Sequence, residues 1–101
     1  MYRGTTPTLT LELDTDVSLA DLAEMWVTFK TPNAEVNKTL SDVTIDDTTK
    51  TIEVPLSQQD TLAINNRSCA VQVRFKTTGG HAYATTISNI DVEYVLKDGV
   101  I

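Results

Sequence analysis

The sequence predicts an all-β domain made of two antiparallel sheets, and three observations carry that expectation. Apolar and polar residues alternate with a period of two in several short runs, which is the pattern of half-buried strands. Turn-forming residues punctuate the chain about every ten positions. Seventeen of the 101 residues are Thr, a β-branched residue suited to the solvent side of a sheet.

The elements follow in order. Residues 1–6 read as a short, free polar arm, and Pro7 fits the first position of a strand, where its missing N–H matters least. A strand is expected over about 8–14, with Leu9, Leu11 and Leu13 on one face. Residues 15–21 read as a polar loop. A second strand spans about 23–30, with Met25, Val27 and Phe29 on one side and Glu24, Trp26, Thr28 and Lys30 on the other. Thr31-Pro32-Asn33 is a turn by composition. A third strand spans about 34–40, and Lys38 marks it as an edge. Val43 to Ile45 add a short piece before a loop at Asp46-Asp47-Thr48-Thr49. A strand over about 50–56 points Ile52, Val54 and Leu56 inward and ends near Pro55. Ser57 then caps a single helical turn, anchored by Leu62 and Ile64.

A strand over about 68–77 turns Cys69, Val71, Val73 and Phe75 inward and Gln72, Arg74 and Lys76 outward. Thr77-Thr78-Gly79-Gly80 reads as a hairpin turn. The last strand is expected over about 81–96. Its apolar parity changes between Ile87 and the row Ile90, Val92, Tyr94 and Leu96, which predicts a bulge or break near Ser88-Asn89. Basic Arg74 and Lys76 are expected to pair with acidic Asp91 and Glu93 across the last two strands. Six or seven such strands suggest an immunoglobulin-like two-sheet sandwich in a single domain over residues 1–101, with a small closed barrel as the alternative.

Composition narrows the function. The formal net charge is −6, and no Lys/Arg cluster offsets it, which argues against nucleic acid as a partner. No apolar run reaches the roughly 18 residues of a membrane span, and no secretory signal is recognisable, so synthesis in a reducing cytoplasm is expected. Cys69 is the one cysteine and reads as a buried, inert thiol. His81, at a turn, has no partner in sequence for metal or base chemistry. Asp42, Asp46 and Asp47 lack the spacing of a calcium loop. Ser57, Ser68 and Ser88 lack an accompanying base. The chain is therefore expected to be non-enzymatic, with no cofactor and no metal.

Trp26 is the main candidate for contact, because its register places a large aromatic on an outer sheet face. The opposing reading buries that face or covers the indole with a loop. Tyr2 and Arg3, in the arm, form a second candidate contact.

Four stretches carry a resemblance: residues 1–9 (MYRGTTPTL), 38–42 (KTLSD), 56–62 (LSQQDTL) and 96–101 (LKDGVI). In these the chain resembles small uncharacterised prophage-encoded proteins of Gram-positive gut bacteria. Their layout is similar to the N-terminal β-sandwich domains of phage baseplate upper proteins. The resemblance implies a tail- or baseplate-associated structural role, with self-association or other virion proteins as partners, and a place in the virion where a functional phage assembles. The competing expectation is a carbohydrate- or protein-binding module using Trp26, Tyr83 and Tyr94.

Overall fold

The computed structural model describes Met1–Ile101 and shows eight strands in two antiparallel sheets. The first sheet has the order β1 (Thr8–Glu12), β5 (Thr51–Pro55), β4 (Thr44–Asp46). The second runs β3 (Ala34–Thr39), β2 (Leu22–Thr31), β6 (Ser68–Thr77), with β7 (Ala82–Ala84) and β8 (Ser88–Asp91) both paired to the far side of β6. A short helix, α1 (Gln58–Ala63), links β5 to β6. No helix is long and apolar enough to cross a membrane.

The inward rows of both sheets meet in one core. Met25, Val27 and Phe29 of β2, Ile52 and Val54 of β5, and Cys69, Val71, Val73 and Phe75 of β6 are buried together. The register Met25↔Phe75, Val27↔Val73 and Phe29↔Val71 sets two apolar rows side by side. A slip of one residue would turn both rows to water, so the pattern itself holds the pairing. Each such side chain contributes roughly 1.5–3 kcal/mol on burial.

Local chemistry ends the elements where the sequence suggests. Ser57 caps α1: its Oγ accepts the Asp60 amide at 3.1 Å, while the Asp60 carboxylate accepts the Ser57 amide at 2.8 Å. That reciprocal pair satisfies two orphan donors of the helix start. Asp60 also meets Lys38 of β3 at 2.7 Å, which ties the helix to the sheet edge.

Three expectations need correction. First, the strand expected over 81–96 is two strands. Arg74 faces Ala84 and Val71 faces Ser88, so Thr85, Thr86 and Ile87 stand opposite Gln72 and Val73 alone. This is the one-residue bulge that the change of parity predicts, placed slightly earlier. Thr85 repairs the ladder there: its amide donates to Val73 O at 2.9 Å, and its hydroxyl accepts the Val73 amide at 3.1 Å. Pairing ends at Asp91, so Val92 stays buried but Tyr94 and Leu96 leave the inward row, and Leu96 is fully exposed.

Second, the charge rows do not meet. Arg74 lies opposite Ala84, Lys76 opposite Ala82, and Asp91 opposite Ser68. The turn after Thr77 fixes this register: Arg74 and Lys76 lie at the turn end of β6 and meet β7, whereas Asp91 reaches only the far end of β6, at Ser68.

Third, the N-terminal arm is docked rather than free. Tyr2 forms a parallel bridge with Glu93, the Arg3 amide donates to Glu93 O at 2.9 Å, and the Glu93 amide donates to Met1 O at 2.7 Å. Unpaired backbone groups beyond β8 supply the partners that the arm lacks within itself. Gly4, at φ 74°, then turns the chain toward β1.

Candidate protein-contact surface

The outer face of the five-stranded sheet is built by the residues that the core rejects. Along β2 these are Glu24, Trp26, Thr28 and Lys30. Trp26 stands between Thr39 of β3 and Arg74 of β6 and is 42% exposed, so neither a loop nor a second layer covers it. Its Nε1 donates to Glu24 Oε2 at 2.9 Å, which lays the indole along its own strand.

Ile87 joins this face because of the bulge. It is 63% exposed. It lines one hollow with Thr28, Lys30, Gln72 and Arg74. The polar residues around the two apolar ones are already bonded to each other. Thr28 Oγ1 donates to Asn37 Oδ1 at 2.6 Å, Asn37 Nδ2 to Glu35 Oε2 at 2.8 Å, and Lys30 meets Glu35 at 3.8 Å. A surface whose side chains are held beforehand loses less conformational entropy when a partner covers it. Trp and Arg are also the residues most enriched among contacts that dominate binding energy.

The structure places Tyr2 and Arg3 elsewhere, beside Glu93. Tyr2 is exposed. Arg3 is largely spent inside the chain: Nη2 donates to Leu62 O at 2.8 Å, Nη1 lies 3.6 Å from Asp98, and the guanidinium stands 5.8 Å from the Tyr94 ring centre. Arg3 therefore acts as a clamp that holds the arm to α1 and the C-terminal segment. Arg67 stands over Tyr94 as well, at 4.9 Å.

The remaining polar candidates are absorbed by structure. Asp46 Oδ1 accepts the Thr48 and Thr49 amides. Asp47 binds Lys50 Nζ and the Leu19 amide, and these bonds hold its carboxyl below the usual range. The backbone amide and hydroxyl of Thr39 do the same for Asp42. Burial pushes the Cys69 thiol up, away from the reactive thiolate. His81 is exposed at its turn, and no three His, Cys, Asp or Glu side chains converge.

The three aromatics proposed for sugar stacking do not share one site. Trp26 and Tyr83, which stacks on buried Phe75 at 5.3 Å, both line a hollow of about 170 Å³, whereas Tyr94 lies elsewhere, between Arg3 and Arg67. Comparison with known protein families, curated proteins and solved structures finds no match to this chain. Sequence reasoning placed Trp26 on its face but missed Ile87 as a second exposed apolar residue of the same face. The parity change at residue 87 was the available signal, since a bulge turns one side chain to the opposite side of the sheet.

Proposed function

We propose that this chain is a non-enzymatic structural protein of a phage or prophage, an assembly module associated with a tail or baseplate. It works through protein–protein contacts made by the outer face around Trp26. The observation that carries the contact reading is Trp26, open to solvent on a paired and internally bonded sheet face that also exposes Ile87. The resemblance of residues 1–9, 38–42, 56–62 and 96–101 to small prophage proteins supports the phage setting. In this role the chain is made in the cytoplasm of a bacterial host, joins the virion, and engages neither nucleic acid nor membrane.

We read the architecture as immunoglobulin-like. The sheet orders β1-β5-β4 and β3-β2-β6-β7/β8 follow the B-E-D and C′-C-F-G orders of that sandwich, with β7 and β8 as two halves of G. No strand occupies the A position beside β1.

Co-expression with the proteins encoded by the flanking genes tests the function. A tail or baseplate protein is expected to co-elute with the chain, and Trp26→Ala is expected to abolish co-elution. Metabolic neighbours, or a complex indifferent to Trp26→Ala, would overturn the proposal.

A further inference from the structure

We infer that β1 is a self-complementary edge through which a second copy of this chain docks, strand against antiparallel strand. This surface is separate from the Trp26 face. Leu56 donates its amide to Pro7 O at 2.9 Å and Leu13 donates to Lys50 O at 2.8 Å. In an antiparallel ladder, bonding alternates residue by residue. Pro7, Leu9, Leu11 and Leu13 therefore serve β5, and the backbone groups of Thr8, Thr10 and Glu12 point away from the sheet. No other strand pairs with β1.

The other edges are guarded. Met1 to Arg3 cover the chain just beyond β8, and the bulge interrupts the line of β7 and β8. β3 carries Lys38, bound to Asp60 of α1. β4 has only three residues. β1 has five residues, no lysine, no bulge and no covering segment. Such an edge is a template for another strand.

The charges set the direction in which a second copy adds. A two-fold axis at Thr10 sets Thr10 opposite its own copy and Glu12 opposite the copy's Thr8, with no like charges facing. Parallel pairing would instead set Glu12 beside Glu12, which is destabilising. The antiparallel register engages every outward backbone group of β1, for about six new main-chain hydrogen bonds. It also sends the copy's Leu9 inward, opposite Leu11. A groove of about 340 Å³ lies there, lined by Leu11, Leu13, Val71, Val73 and Thr85 among others. The copy's leucine fills it, and the half-buried Leu9 and Leu11 lose their remaining contact with water. The product is one continuous sheet in the order β4-β5-β1-β1-β5-β4.

Sedimentation velocity of the full chain, from micromolar to millimolar concentration, tests this together with three variants. The unaltered chain is expected to dimerise. Thr10→Pro removes an outward N–H that β5 does not use, and Thr10→Lys sets two like charges on the axis. Both are expected to weaken dimerisation by about tenfold or more while thermal unfolding of the monomer holds. Thr10→Cys is expected to form a disulfide-linked dimer under mild oxidation, whereas Thr28→Cys, on the outer face of the other sheet, is not. A chain that stays monomeric at millimolar concentration overturns the inference, and so does a dimer untouched by Thr10→Lys or a Thr10→Cys variant that does not cross-link. Trp26→Ala leaves this dimer intact, so failure here is distinct from failure of the proposed function.

Discussion

Replacing Asp60 with Ala is expected to destabilise the fold by about 2 kcal/mol. The carboxylate has two attachments. It accepts the Ser57 amide at 2.8 Å, half of the capping pair at the start of α1, and losing a cap costs about 1 kcal/mol. It also meets Lys38 Nζ at 2.7 Å, with each side chain only 19% exposed. Removing the anion strands the Lys38 ammonium in a half-closed site, at a further cost of about 1 kcal/mol, above the surface-pair range and below that of a fully buried pair. For a domain of this size the sum lowers the unfolding midpoint by roughly 8–16 °C. Partial burial raises the Asp60 pKa, but the Lys38 hydrogen bond and the Ser57 donors outweigh it, and the net direction is down. A carboxyl whose folded pKa is depressed contributes stability in full above its unfolded value near 3.9 and loses it as pH falls through the folded value. Urea titrations at neutral pH and through the acid range check both statements. Asp60→Ala should start lower and lose less on acidification. A variant within about 0.5 kcal/mol of the parent, with a parallel pH profile, would refute the assignment.

Thr85→Val keeps the shape but removes the oxygen that accepts the Val73 amide, and chemical denaturation should show a loss of about 1–3 kcal/mol. Arg3→Ala frees the arm from Leu62 O and Asp98, so amide exchange at Arg3 and Glu93 should accelerate while exchange in β2 and β6 holds. Trp26→Ala should change unfolding stability by less than about 1 kcal/mol, because the indole fills no core space, and a larger loss would place it in a structural role. Cys69 should resist thiol reagents in the native protein and react on unfolding, because burial holds it protonated.

What was legible in the sequence follows the range of the forces. Met25, Val27 and Phe29, like Cys69 to Phe75, showed their facing because alternation in a half-buried strand needs no knowledge of the partner strand. The Ser57 cap was legible for the same local reason. The parity break at Ile87 and Ile90 was legible as a bulge, although its exact site depends on where Thr85 finds a bond to Val73. The docked arm was not legible, because its partner, Glu93, lies at the other end of the chain. The expected pairs between Arg74, Lys76 and the acidic row failed because the tight turn after Thr77 sets Arg74 opposite Ala84, so Asp91 falls at the other end of β6. Trp26 could be placed on a face, but its freedom from cover depends on what packs there, which alternation does not encode.

The bulge at Thr85 to Ile87 also sets how this chain can change length. Deleting any one of these three residues would leave Ile90 opposite Cys69 and Tyr83 opposite Phe75, so neither half of the hairpin would turn over. The same deletion anywhere within β6 would invert one half of the core row. Loss of a residue is therefore tolerable at this point and ruinous a strand away. What it would create is a straight, uninterrupted outer strand from Ala82 to Asp91, the kind of edge to which a strand of another molecule can add.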